Sequence, residues 1–211
     1  MDDCKPISTP LDINKTVTKE MSPQTEEVEE MKKIPYQEAI GSIMYAAQVS
    51  RPDISFAVGA LARFNNNPGK AHWQAVKRIM RYLKGTMKYK LQFSKDENEF
   101  IEGFSDADWA GDVDERKSTS GYVFKFQVGC ISLNSKKQQT TALSTTEAEY
   151  MALAAAGQEA LWLQSLFNEL GRPSSIVIKC DNKSAINLSH NNTYHQGNQK
   201  YAISYSLLCV V

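Results

Sequence analysis

The chain has 211 residues, 42% of them hydrophobic, with 11 glycines and 7 prolines, a balance that excludes collagen-like, coiled-coil and wholly disordered chains. Its four cysteines, Cys4, Cys130, Cys180 and Cys209, lie far apart without a CxxC pair, so neither a zinc site nor a dense disulfide framework is signalled and reduced thiols are expected. The 24 basic and 24 acidic side chains cancel, but they are segregated along the chain, so net neutrality does not exclude a polyanionic partner.

Residues 1–34 hold 5 Lys and Arg against 8 Asp and Glu, together with Pro6, Pro10 and Pro23. They read as a mostly irregular linker with one short helical turn. From Pro35 the pattern turns helical, with Ile40, Ile43, Met44 and Ala47 at helical spacing until Arg51-Pro52-Asp53 breaks it. A second helix is expected over about Ile54–Phe64, ended by Asn65-Asn66-Asn67-Pro68-Gly69, and a third over Ala71–Lys84, ended by Gly85. Residues 35–96 carry 10 basic against 3 acidic side chains. Lys77, Arg78, Arg81 and Lys84, on the polar side of the third helix, are candidates for tracking a phosphate backbone, with an ordinary solvated face as the competing reading.

After Gly85 the period changes to two. Tyr89, Leu91 and Phe93 alternate with polar residues, and Phe100–Asp106, Gly121–Phe126 and Cys130–Leu133 read as further strands. A long helix over about Thr145–Leu170, a short strand over Ser175–Cys180 and a short helix over Asn182–Ser189 follow. This order describes a mixed α/β domain with a helix packed on a sheet. No stretch approaches the ~20 apolar residues of a membrane span and Met1–Pro10 has no apolar core, so an intracellular protein of cytoplasm or nucleus, not secreted, is expected.

Hydrolysis of a phosphodiester by two metal ions needs several carboxylates converging on one point. Candidates are Asp106 and Asp108 at a strand end, Glu147 and Glu149 at a helix start, and Asp181 after a short strand. Steps of three and four from Glu149 give Leu153, Ala156, Ala160, Leu163 and Phe167, an apolar stripe suited to a sheet, whereas Glu147 heads a mixed one. Ser144-Thr145-Thr146-Glu147 fits a capping box, which gives Glu147 a structural role and leaves Glu149 facing inward. An acid at the end of a core-facing stripe is costly unless paired or metal-bound. For Asp106 and Asp108 a turn competes with the strand reading, and Asp181-Asn182 can equally cap the next helix.

Four ordered blocks, Gly103-Phe104-Ser105-Asp106-Ala107-Asp108-Trp109-Ala110-Gly111, Arg116-Lys117-Ser118-Thr119-Ser120-Gly121-Tyr122, Ser144-Thr145-Thr146-Glu147-Ala148-Glu149-Tyr150-Met151-Ala152-Leu153 and Cys180-Asp181-Asn182, closely resemble the ribonuclease H domain of copia-type LTR retrotransposon Pol polyproteins. Upstream, Tyr36–Ser42, Arg51-Pro52-Asp53-Ile54 and Arg81–Thr86 resemble the segment joining reverse transcriptase to ribonuclease H, so the likeness covers about residues 3–195. It implies a ribonuclease H-like mixed sheet with packed helices over 88–211, preceded by a helical segment over 35–87 that resembles the end of reverse transcriptase. It implies hydrolysis of the RNA strand of RNA–DNA hybrids as part of a Pol polyprotein, with two Mg²⁺ or Mn²⁺ ions. Asp106, Glu149 and Asp181 fall on the family's catalytic, metal-binding carboxylates, with Asp106 contacting both metals. Ser118 and Asn182 are candidate 2′-OH donors. Beyond Thr193-Tyr194-His195 the family pattern is lost and its fourth aspartate has no counterpart, so the domain is expected to be C-terminally incomplete. The alternative is a catalytically inactive remnant that at most binds nucleic acid.

Overall fold

A computed structural model describes residues 3–12, 15–24, 27–93 and 100–190 and the backbone of 209–210. The chain forms two compact units, Met1–Leu91 and Gln92–Val211. The Thr193-Tyr194-His195 match and the divergent stretch 196–208 lie outside the described residues.

In the first unit, residues 3–12 and 15–24 take an irregular course apart from a 3-10 turn at Lys19–Met21. Four helices follow: α1 (Glu27–Lys32), α2 (Tyr36–Val49), α3 (Ser55–Ala62) and α4 (Lys70–Gly85). Pro35 stands immediately before α2, where its missing N–H costs no helical bond. Tyr36, Ile40, Ile43 and Ala47 of α2 are buried with Val58 and Leu61 of α3 and Val76 and Ile79 of α4, so the helical spacing read from the sequence does place one face in the core. Ile7, Leu11 and Val17 are half-buried against this cluster. The break at Arg51-Pro52-Asp53 is itself an anchor. Arg51 donates from Nε and Nη2 to the two Asp53 oxygens at 2.9 and 2.8 Å and from Nη2 to Thr86 Oγ1 at 2.5 Å, while the Tyr82 hydroxyl donates to Asp53 Oδ2 at 2.7 Å. The turn after α2 is thereby tied to the end of α4 through a planar, bidentate pair.

The second unit is a mixed sheet of β1 (Ile101–Ala107), β2 (Thr119–Phe126), β3 (Gly129–Lys137), β4 (Ile176–Cys180) and the two-residue β5 (Cys209–Val210), with helices α5 (Thr145–Glu169) and α6 (Lys183–His190). The strand order is β3-β2-β1-β4-β5. β1 is antiparallel to β2 and parallel to β4. β4 also pairs with β5, Val177 with Cys209 and Ile178 with Val210, a strand that the sequence pattern does not signal.

The strand expected at Tyr89-Leu91-Phe93 is not formed, and residues 89–93 have no regular structure. Period-two alternation makes a strand only where a ladder partner is available. Phe93 instead lays its ring on Gly129 at the start of β3, where an added Cβ would come within 2.2 Å of Phe93 Cδ1.

The stripe Leu153, Ala156, Ala160 and Leu163 of α5 is buried with Ile101, Phe124, Ile176 and Ile178 of the sheet, and Phe167 packs at its end. The small alanines let the helix axis come close to the strands. On the opposite side of the sheet Phe104 lies between Lys125 Nζ and Lys179 Nζ, 4.7 and 5.4 Å from its ring centroid, and Lys179 also pairs with Glu102 at 2.5 Å. Gly103 of β1 is required because a Cβ there would lie 2.5 Å from Cε1 of the fully buried Phe124. Gly103→Ala should therefore destabilise the second unit by about 1–3 kcal/mol through overpacking. Denaturant unfolding checks this, and an unchanged midpoint would refute the close approach.

Candidate functional site

The site is built at one end of the sheet by strand register. The last ladder pair between parallel β1 and β4 is Ser105 with Cys180. One residue further along each strand stand Asp106 and Asp181, both exposed, on neighbouring strands about 4.8 Å apart. Glu149 enters from α5. It is 6% exposed, and its Oε1 accepts the Ala107 backbone N–H at 3.2 Å, while its Oε2 is buried with no hydrogen-bond partner among the described residues. The Glu149 carboxylate, the Cys180 thiol and the Asp181 carboxylate place ligand atoms within 4.8 Å of one another.

Burial pushes the Glu149 carboxyl from 4.5 up to about 7; the Ala107 N–H acts against this, and the charges of Asp106 and Asp181 add to it. Asp106 is therefore within electrostatic reach of Glu149, although it does not belong to the tight group of three. Burial likewise raises the Cys180 thiol, opposed by the Asn182 backbone and reinforced by the Glu149 charge.

The neighbouring polar residues are engaged in shaping the loops. Ser144 caps α5 by accepting the Glu147 N–H at 3.1 Å, and Glu147 Oε2 accepts the Leu143 N–H at 2.7 Å, one residue before the position a strict capping box would use. Asp108 turns away from the strand, accepts the Thr119 N–H through Oδ1 and folds over Gly111, where a Cβ would meet its Oδ2 at 2.1 Å. Ser118 is 1% exposed and accepts the Ala110 N–H at 3.0 Å. Asn182 takes the cap of α6, with Oδ1 accepting the Ala185 N–H at 3.0 Å, and leaves Asp181 exposed beside it.

The basic residues singled out on α4 lie in the first unit. Arg78 donates to Thr9 Oγ1 at 2.9 Å and faces Asp12 at 3.6 Å, Arg81 donates to the Lys5 carbonyl at 2.7 Å, and Lys84 to the Cys4 carbonyl at 3.0 Å. These three fasten the N-terminal segment to the helix. Lys77 is half-buried and makes no ion pair among the described residues. For Cys180 the cysteine spacing in the sequence gives no signal. Its parity with the apolar Ile176 and Ile178 marked it as inward-facing.

No protein-family model matches the chain. The "Retrovirus-related Pol polyprotein from transposon TNT 1-94" of Nicotiana tabacum is 48% identical over 207 residues, which are 97% of this chain and 16% of that protein. The "Secreted RxLR effector protein 161" of Plasmopara viticola is 56% identical over 133 residues, 63% of this chain and 94% of that one. Among solved structures, the foamy viral protease-reverse transcriptase in complex with dsDNA aligns over 89% of this chain and 41% of that one, with a TM-score of 0.51 and 13% identity. LC11-RNase H1 aligns over 54% of this chain and 84% of that one, with a TM-score of 0.41 and 14% identity. The fold of the second unit is the ribonuclease H-like mixed sheet with packed helices.

The raised Glu149 carboxyl has a consequence for stability. Between about pH 4.5 and 7 the folded chain holds a proton that the unfolded chain releases, so stability falls as pH rises through this window. Glu149→Gln removes the dependence. In chelator, the variant should exceed the parent by about 2–3 kcal/mol at about pH 8 and match it at about pH 4. Denaturant unfolding at both values tests this, and an equal difference at the two would contradict it. The chain spans about one-sixth of the length of the tobacco relative, and it belongs to the family of retrovirus-related Pol polyproteins of plant transposons.

Proposed function

We propose that the chain is the ribonuclease H-type part of a copia-type Pol polyprotein and hydrolyses the RNA strand of RNA–DNA hybrids with divalent cations. One observation carries this reading. The carboxyl of Glu149, whose Oε2 is buried without a hydrogen-bond partner among the described residues, is held beside Asp181 and within electrostatic reach of Asp106 at one sheet end. An orphaned acceptor flanked by hard oxygen donors is the chemistry that suits Mg²⁺ or Mn²⁺, so the residues present fit such ions. Asp106, Glu149 and Asp181 would hold them. What the cations supply when bound is neutralisation of phosphoryl charge and a more acidic water.

The remaining roles belong to the chain itself. Glu149 is fixed through the Ala107 N–H, which sets the distance between helix and strand. Asp106 and Asp181 face solvent at strand ends, where a nucleic-acid backbone can approach. Asp108, Ser118 and the cap residue Asn182 hold the loops around them, so Ser118 acts through loop geometry rather than by offering a free hydroxyl to a ribose.

A second reading is hybrid binding without cleavage. Both are tested by incubating the chain with a labelled hybrid and Mg²⁺. Cleavage is expected in the parent, falling by at least roughly a hundredfold in Asp106→Asn, since the metal's charge stabilisation is worth several kcal/mol. Equal activity in parent and variant would overturn the assignment. Salt-sensitive binding without any cleavage would replace it with the second reading.

A further inference from the structure

The group that meets at the sheet end is not purely carboxylate. Cys180 closes β4 on the same inward parity as Ile176 and Ile178, is 9% exposed, and brings its thiol within 4.8 Å of the Glu149 and Asp181 ligand atoms. Donor atoms around a single tetrahedral ion are roughly 3.5 Å apart, so side-chain adjustments of about 1 Å at most close the three around one centre. The second, independent sign is Glu149 Oε2, which is shut away from solvent without a hydrogen-bond partner among the described residues, on a residue only 6% exposed. A cation held by the three gives that buried carboxyl group a partner.

We infer that Glu149, Cys180 and Asp181 form a thiolate-containing site for a borderline-soft divalent cation, Zn²⁺ above all. Zn²⁺ takes one sulfur and two carboxylate oxygens in four-coordinate geometry and leaves a position open to solvent, whereas Mg²⁺ takes oxygen ligands in octahedral geometry. Binding replaces the S–H bond with an S–Zn bond, releases the thiol proton to solvent and changes no oxidation state. Zn²⁺ thus draws Glu149 and Asp181 toward the sulfur and competes with the cations of the hydrolytic site for the same oxygens. The inference rests on the reading that these two carboxylates hold a cation, and not on hybrid hydrolysis.

Co²⁺ serves as the probe, titrated into the full chain after chelator treatment. A near-ultraviolet thiolate-to-cobalt charge-transfer band and intense tetrahedral visible bands are expected in the parent and in Cys130→Ser, and their loss in Cys180→Ser. Competition with Zn²⁺ should show affinity falling by roughly tenfold or more in Cys180→Ser. Absence of the band in the parent, or its survival in Cys180→Ser, overturns the site. Should Cys180→Ser fail to fold, zinc-edge X-ray absorption on the parent decides, with one sulfur at ~2.3 Å expected and a shell of oxygen and nitrogen alone refuting it. Cobalt bands in a parent that does not cleave hybrid would remove the hydrolytic reading and leave this one. Cleavage with Mg²⁺ in a parent that shows no band would do the reverse.

Discussion

The close packing of α5 against β1 governs the second unit. Ala156 and Ala160 are fully buried and carry no bulk that would hold the helix away from the sheet, while Leu153 and Leu163 fill the space on either side. Further toward the N-terminus the same stripe ends in a carboxylate instead of another apolar side chain. Glu149 is accepted there because one of its oxygens takes the Ala107 N–H, and that bond fixes α5 to the end of β1. A dry core and a titratable carboxyl thus share one helix face, and the carboxyl sits where the core meets solvent.

The consequences spread outward through hydrogen bonds rather than through further burial. Asp108 and Ser118 hold the segment between β1 and β2, where Ala110 and Arg116 both adopt left-handed backbone conformations at φ 54°. Such conformations cost free energy for residues with a Cβ and persist only where the surroundings fix them. Gln138, 7% exposed, bridges Ser120 and the carbonyl of Ala148, so the strand next to Asp106 and the first turn of α5 are joined through a single amide. With so many polar neighbours engaged, Asp106 and Asp181 remain exposed at the sheet end. The carboxylates are thereby held on rigid elements, the arrangement that reactive sites need for a defined geometry.

Charge along the chain takes on a different meaning once contacts are known. The basic excess of residues 35–96 suggested a surface for phosphates, yet Arg78, Arg81 and Lys84 reach carbonyl, hydroxyl and carboxylate groups of residues 4–12. Their role in the first unit is to hold an irregular N-terminal segment whose Ile7 and Leu11 cover apolar surface. Arg51 does the equivalent inside the unit, where a buried guanidinium joins Asp53 to the end of α4. A count of charges by segment records none of this, because it is blind to where each side chain points.

The helices α2 to α4 of the first unit, the strands β1 to β4 and the inward choice of Glu149 over Glu147 follow from spacing and capping, because period and capping chemistry are local properties of the sequence. The failed strand at 89–93 shares that local pattern, but a strand needs a partner and Phe93 met Gly129 instead. The pairing of Cys209 and Val210 beside β4 was hidden for the same reason: nothing local distinguishes a two-residue edge from a tail. Asp106, Glu149 and Asp181 stand out in the sequence as residues of a shared chemistry, whereas Cys180 does not. It joins them only because parallel β1 and β4 end in register and α5 lies close above, and that convergence of three distant segments is a property of the packed sheet.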